Sequence, residues 1–497
     1  MPRRHMHMAG ADGAALGAAL RGLRTRLDVP GAFPAEVLAE AERAAAAPPP
    51  PAEDATGIPL FTIDPPGSVD LDQAMHLERR SGGGYRVHYA VADVAAFVTP
   101  GGALDAEAHR RVTTLYFPDL RVPLHPPVLS EGAASLLPDR TRPALLWRLD
   151  LDSDGRVEGT DVRRALVRSR ARLDYEGVQK AVDTGTAEPA LALLKDIGTL
   201  REALETERGG ISLNVPEQEV VAQDGSYRLA YRAPLPADGW NAQVSLMTGM
   251  AAADLMLASG TGILRTLPPA PDGAVGRLRR AAKALRIDWP HHVPYAALVR
   301  SLDPRLPAHA AFLQECTALL RGAGYTVFTG GERPDPAVHA AVAAPYTHCT
   351  APLRRLADRY AGELCLAAAA GAAAPVWAAE ALAALPREMQ EGARLANSVE
   401  RECVDLVEAA VLRDRVGETF EATVIDVEER DPRIGTVHLE DPAVVGRAES
   451  PAGPLPLGDR IRVRLTRADP GTAKILFAPA QARHVPARPT RPSAAGP

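Results

Sequence analysis

A chain of 497 residues with 62 acidic and 56 basic side chains, formal charge -6, is too long for one small domain and too acidic for a uniformly basic binding surface. Hydrophobic residues at 46% and charged residues at 24% match folded soluble proteins, which excludes wholesale disorder and leaves a sizeable core. Lys180, Lys195, Lys283 and Lys474 are the lysines, and 56 less those 4 leaves 52 arginines, a bias read as GC-rich coding before it is read as phosphate recognition.

From the N-terminus, Ala14–Leu27 and Pro34–Ala46 have the composition of short amphipathic helices, and Pro48 to Pro51 enforce an extended spacer. Nothing here reads as a secretory leader, because Asp12 and Arg21 interrupt the small-residue stretch behind Arg3 and Arg4. A helical segment over 1–55 is therefore expected. Over 56–412, strand-like Tyr85–Val98 and Ala144–Leu151 mix with helical Trp240–Ala258, Pro352–Ala370 and Arg387–Arg413, predicting one large α+β domain with a mixed, largely antiparallel sheet. Leu364 to Ala379 is the longest charge-free apolar run, but Gly371 and Pro375 keep it short of a membrane span. Cys316, Cys349, Cys365 and Cys403 form no CxxC and have no histidine at zinc-finger spacing, so reduced thiols in a cytoplasmic protein are expected. Beyond Arg413, the segments Thr419–Val427, Ile434–Leu439, Arg460–Leu465 and Lys474–Phe477, separated by turn residues, predict a small OB-type barrel over 413–480. The Pro- and Arg-rich tail 481–497 is expected to be disordered.

The densest chemistry lies in Phe61 to Ala74, where an apolar lead delivers Asp64 and Pro65-Pro66-Gly67 supplies a turn. That turn can fold Asp70 and Asp72 back toward Asp64, and residues two apart in an extended segment share a face. Three converging carboxylates repel unless a cation neutralises them, and all-oxygen ligation suits Mg²⁺ or Mn²⁺. Such a site clamps a phosphodiester and activates water. On spacing alone, a solvated Asp-rich turn remains the competing reading.

The segment TIDPPGSVDLDQA resembles the signature of the ribonuclease II family (RNB domain), whose usual form ends in two consecutive aspartates. The likeness continues through HYAVADVAAFV (His88–Val98), LYFPDLRVPLHPPVLSEGAASLLPDRTRPAL (Leu115–Leu145), RGGISLNVPE (Arg208–Glu217), WNAQVSLMTGMAAADLM (Trp240–Met256), YTHCTAPLRRLADRY (Tyr346–Tyr360) and ANSVERE (Ala396–Glu402). These stand in the family's order across roughly residues 58–410. The resemblance implies a processive, Mg²⁺-dependent 3′→5′ exoribonuclease, with Mn²⁺ able to substitute, that releases nucleoside 5′-monophosphates from single-stranded RNA. It assigns Asp64, Asp70 and Asp72 to the metal, with Asp72 the residue on which chemistry depends most. Gln73 replaces the family's last aspartate; its amide oxygen can ligate but brings no charge, which puts a second metal in doubt.

By the same resemblance Tyr116 stacks on the 3′-terminal base, Arg354 holds the scissile phosphate with Arg355 as its nearest competitor, and Glu400 lies near the terminal ribose. The chemistry of each agrees: rings stack on any base, guanidinium forks hold phosphate, and an acceptor can read a 2′-OH. Asp93 matches a family position and reads as structural, while Leu213-Asn214 departs from the usual bulkier hydrophobe followed by Asp. The family usually carries two cold-shock barrels ahead of this domain, for which 55 residues are too few, so a short form is expected. RNA capture then falls on the channel and on barrel arginines such as Arg447, Arg460, Arg462 and Arg464, in a monomeric protein without membrane contact.

Two basic stretches, Arg163, Arg164, Arg168, Arg170 and Arg172, and Arg277, Arg279, Arg280, Lys283 and Arg286, read equally as an RNA path or a solvated face. His291-His292 has no third ligand and is given no role. Two rival functions stand beside the exoribonuclease: a catalytically weakened RNA-binding or regulatory protein, favoured by Gln73, and a metal phosphodiesterase acting on DNA or small nucleotides.

Overall fold

Alternation in Tyr85–Ala92 and a nearly continuous apolar run in Thr141–Leu151 make two adjacent strands that bury Val87, Tyr89, Trp147 and Leu149. In the computed structural model, which describes residues 14–47, 53–215, 217–223, 226–332, 334–428, 430–439, 441–470 and 474–480, they belong to a six-stranded sheet. Its order is Glu53–Asp54, Val157–Leu173, Leu60–Ile63, Gln73–Arg79, Tyr85–Ala92, Thr141–Leu151. The 17-residue strand Val157–Leu173 also pairs with Thr141–Leu151 antiparallel, and its last residues run parallel to Leu60–Ile63. The sheet thus curls back on itself. The strand carries the first basic stretch, and most of that charge is used within the fold: Arg164 engages Asp93 and Glu363, Arg163 engages Glu53 and Asp161, and Arg172 donates to the Ser68 carbonyl.

The helix Pro236–Ser259 is largely apolar, burying Trp240, Val244, Met247, Ala251 and Met256, and lies between Pro189–Glu207 and Leu356–Ala369. Gly249 lets the segment at Tyr346 and Thr347 lie close against this helix. A Cβ there would stand 2.2 Å from the Tyr346 ring and 2.6 Å from the Thr347 carbonyl. The helix expected from Pro352 begins instead at Leu356, because residues 351–355 form a turn in which the Arg354 and Arg355 amides both donate to the Ala351 carbonyl, at 3.2 and 3.0 Å. Arg354 therefore sits on a turn rather than on a helix face.

The N-terminal helices form as expected, over Ala14–Arg26 and Ala35–Ala46, and each buries apolar residues against the rest of the chain. Leu16, Leu20 and Leu23 join Leu115, Phe117 and the long helix Leu385–Leu412 in one apolar cluster; Val37 and Ala41 join Leu60 and Leu71 in another. The C-terminal strands close a five-stranded barrel, which gains a strand at Val444–Glu449 beyond those read from the sequence. Phe420 and Phe477 meet edge to face inside it, at 6.2 Å, and are core rather than RNA platforms. All four cysteines are buried and unpaired. No helix among the described residues is long and apolar enough to cross a membrane. The expected proline spacer and disordered tail lie outside the described residues.

Candidate active site

The aspartate segment is held at both ends. Asp64 leaves the Leu60–Ile63 strand with its amide on the Leu173 carbonyl, and the Ser68 amide closes a turn onto Pro65 at 3.1 Å. Pro66 and Gly67, the latter at φ 81°, occupy the positions where a type II turn favours proline and glycine. Ser135 then pins the returning chain, accepting from the Leu71 amide and donating to the Val69 carbonyl, and the Asp72 carbonyl receives the Ala92 amide. The predicted fold-back is real, and its cause is this backbone lattice.

The three carboxylates meet different partners. Asp72 is 3% exposed; one oxygen accepts the Leu353 amide at 2.8 Å and the other the Arg354 Nε at 2.9 Å. Asp70 is engaged by Arg121 at 2.5 Å, and Arg121 reaches Glu131 at the same distance on its other side. Asp64 has a buried Oδ2 with no hydrogen-bond partner. Burial raises the Asp64 carboxyl to about 6, against the pull of Thr62 and Arg354. Burial likewise raises Asp72 to about 7, although Arg354 and the Leu353 amide favour its ionised form. Burial opposes the charge on Arg354, but Asp72 and Tyr116 outweigh it and strengthen its hold on the proton.

A hard divalent cation suits this donor set. The oxygens are of the right kind, and the bare Asp64 Oδ2 is the acceptor such an ion would satisfy. The expected trio of free carboxylates is not what the structure holds, however. Two of the three are in ion pairs, and among the described residues no three Asp, Glu, His or Cys side chains stand as a finished cage. Gln73 opens the Gln73–Arg79 strand and turns its amide nitrogen onto the Thr350 carbonyl.

Tyr116 is half-buried in a two-stranded hairpin, directly opposite Arg121, so the expected stacking ring and the Asp70 partner share one ladder rung. The hairpin follows Val112, held at φ 62° and ψ -43°, a strained conformation for a β-branched residue. Thr113 and Thr114 then bond the Arg354 carbonyl, at 2.9 and 3.0 Å, which ties the Tyr116 arm to the Arg354 turn. Arg355 is committed elsewhere: its fork closes on Asp358 at 2.8 and 2.9 Å and secures the start of the following helix. Glu400 lies on Leu385–Leu412, where the buried Cys403 thiol feels its charge together with Asp119, Arg24 and Glu402. Arg460 and Arg462 are well exposed on the barrel and share Glu421 at 3.8 and 3.7 Å. Asp93 is structural, capping Val94–Ala96 and pairing with Arg164 at 2.8 Å.

The RNB domain profile matches residues 52–368, and that of the RNase II-type exonuclease C-terminal S1 domain matches residues 418–480. The chain belongs to the RNB family. It is 28% identical to ribonuclease R of Escherichia coli over 401 residues, 75% of this chain and 48% of the relative. Exoribonuclease 2 of Photorhabdus laumondii is 32% identical over 186 residues, 35% of this chain and 29% of the relative. The chain thus spans about half the length, or less, of these curated relatives. Among solved structures, RNase R of Mycoplasma genitalium in complex with ribose-methylated single-stranded RNA superposes with TM-score 0.81 at 17% identity, over 95% of this chain and 79% of that one. Yeast Ssd1, described as a pseudonuclease, superposes with TM-score 0.64 at 18% identity, over 85% of this chain and 52% of that one. These likenesses establish the fold, an RNB domain with a C-terminal barrel.

Sequence reasoning did not single out Arg121, nor the Leu353 amide and Thr350 carbonyl that complete the surroundings of Asp72 and Gln73. Arg121 had a readable signal: a lone cation five residues after Tyr116, in a strand short enough to form a tight hairpin. The backbone groups had none, since they come from a turn far along the chain.

Proposed function

We propose that this protein hydrolyses single-stranded RNA processively from its 3′ end, releasing nucleoside 5′-monophosphates, with Mg²⁺ as cofactor. The observation that carries the reading is the joining of the aspartate segment to the Arg354 turn: one buried carboxylate, Asp72, accepts both the Leu353 amide and the Arg354 guanidinium. Asp64 and Asp72, with Asp70 alongside, would hold Mg²⁺, which supplies Lewis-acid charge to the scissile phosphodiester and the attacking water. Arg354, preorganised by Asp72, offers its remaining N–H groups to the phosphate oxygens as charge develops on them. Tyr116 receives the terminal base, and Glu400 accepts a hydrogen bond from a ribose 2′-OH, favouring RNA over DNA. The barrel's Arg460 and Arg462 contribute phosphate contacts upstream.

One gel tests this: 5′-labelled RNA and a matched DNA, each incubated with Mg²⁺ and with EDTA. Conversion of the labelled RNA to a short 5′ end fragment with few intermediates, on RNA only and abolished by EDTA, is the expected result. Undiminished cleavage in EDTA would end the mechanism. A second reading, RNA binding without turnover, is favoured by the neutral Gln73 and the two occupied carboxylates, and finds a parallel in the Ssd1 fold. Tight RNA binding with no shortening at any Mg²⁺ concentration would establish it instead.

A further inference from the structure

We propose that Arg121 is a built-in cation that neutralises Asp70 and so restricts the carboxylate cluster to a single divalent ion, held at Asp64 and Asp72. The inference deepens the reading above and rests on it.

Charge counting leads there. Asp64, Asp70, Asp72 and Glu131 carry four negative charges, and Arg121 and Arg354, which pair with three of them, carry two positive charges. The remaining charge of minus two matches one divalent ion. A second would leave an excess of positive charge in a site where Asp72 and much of Asp64 are shielded from water, and like charges at short range are costly there. Arg355 does not alter the count because Asp358 balances it; Arg172 also acts on Asp64, but it is exposed, with its guanidinium on the Ser68 carbonyl, so solvent screens its share and it only adds to the case against a second ion.

Geometry agrees with the count. Arg121 is 24% exposed and held from two sides, by Asp70 and Glu131 at 2.5 Å each, while its strand partner Tyr116 fixes its height in the hairpin. It is therefore not a surface arginine resting on a carboxylate. Gln73, which stands where the family has its last aspartate, turns its amide nitrogen to a carbonyl and adds no negative charge that would call for a second ion. Arg121 is thus a positioning residue: it acts on the metal through Asp70, and through the hairpin it keeps Asp70 in register with Tyr116.

The test is Mn²⁺ binding to the full chain at pH 8, read by the electron paramagnetic resonance of free Mn²⁺, with RNA hydrolysis assayed separately on the same protein. The wild type should bind one Mn²⁺ per chain in the site and Arg121→Met two, whereas Arg121→Lys, which keeps the charge, should stay at one. Two ions in the wild type would overturn the assignment without recourse to any variant. So would Arg121→Met remaining at one with unchanged affinity, or Arg121→Lys gaining the same second ion. One bound Mn²⁺ with no RNA hydrolysis would leave this inference standing and defeat the nuclease reading; two bound with brisk hydrolysis would do the reverse.

Discussion

Arg24 grips both oxygens of Asp119, at 2.8 and 3.1 Å, and its guanidinium also stands 5.2 Å from the Phe117 ring. An N-terminal helix thereby holds the loop of the hairpin whose strands carry Tyr116 and Arg121. Arg24→Ala should cost about 1 kcal/mol or less of stability, the usual worth of a partly exposed ion pair. It should nevertheless shift the final RNA fragments to longer lengths, because a loosened Tyr116 holds short products less well. Tyr116→Ala should do the same more strongly. Sequencing-gel end products alongside thermal unfolding would check both; unchanged fragments in Tyr116→Ala would remove that ring from the RNA path.

Arg354→Ala removes the proposed phosphate clamp and leaves Asp72 with the Leu353 amide alone. We expect the limiting rate to fall about 10²–10³-fold, the usual loss for one transition-state donor, with a smaller change in RNA affinity. Arg355→Ala should instead lower thermal stability, because it leaves the buried Asp358 charge with only the Ala351 amide. Single-turnover kinetics and unfolding curves on both variants would show whether the two adjacent arginines divide their work this way. An Arg355→Ala protein that is stable but inactive would exchange their roles.

Metal affinity should climb with pH. Burial holds Asp64 up to about 6 and Asp72 up to about 7, so an ion that binds their charged forms must displace protons below those values. Without metal the sign is opposite: the folded state keeps protons that the unfolded chain has already lost, so these two groups reduce stability as pH rises through 6 to 7. The gain in Tm on adding Mg²⁺ should therefore be greater at pH 8 than at pH 5.5. A gain independent of pH would show that these carboxylates do not bind the ion.

Acid should weaken the fold through His125. Its ring is buried, and desolvation depresses it to about 3. The unfolded chain takes up this proton near the ordinary histidine value of about 6.5, so stability is lost as pH falls from there toward 3. His125→Gln should flatten that part of the stability curve, measured by urea unfolding between pH 7 and pH 4. A slope identical to the parent's would count against it.

The barrel prediction is electrostatic. Replacing Arg460 and Arg462 with alanine should lower the salt dependence of RNA binding by about 0.7 in log–log slope for each phosphate that is no longer neutralised. Turnover on short oligomers should remain unchanged. Equal slopes for parent and variant would take this face of the barrel off the RNA path.

Much of this architecture was readable from residues in a row. The turn at Pro65-Pro66-Gly67 and the long C-terminal helix announce themselves by local chemistry and period, and so does the first part of the strand-like Tyr85–Val98, which runs only to Ala92 because Asp93 then caps a short helical turn at Val94–Ala96. What escaped depends on residues that meet only in space. Asp70 and Asp72 look like free ligands until Arg121 and Arg354 are placed against them, and Gln73 looks like a weak ligand until Thr350 takes its amide. The helix start at Leu356 was misjudged because the composition of Pro352–Ala370 is helical throughout, whereas hydrogen bonds to Ala351 hold the first residues in a turn.

The pairing of Asp72 with Arg354 spans 282 residues. On a ribosome adding 5–20 residues per second, roughly 14–56 s separate the emergence of the two side chains. Throughout that interval Asp72 has neither the amide nor the guanidinium that holds it, and the Tyr116 arm lacks the carbonyl to which Thr113 and Thr114 are tied. Until Arg354 has been made, a growing chain lacks the pairing that assembles the candidate site, so hydrolysis of the kind proposed has to wait for it.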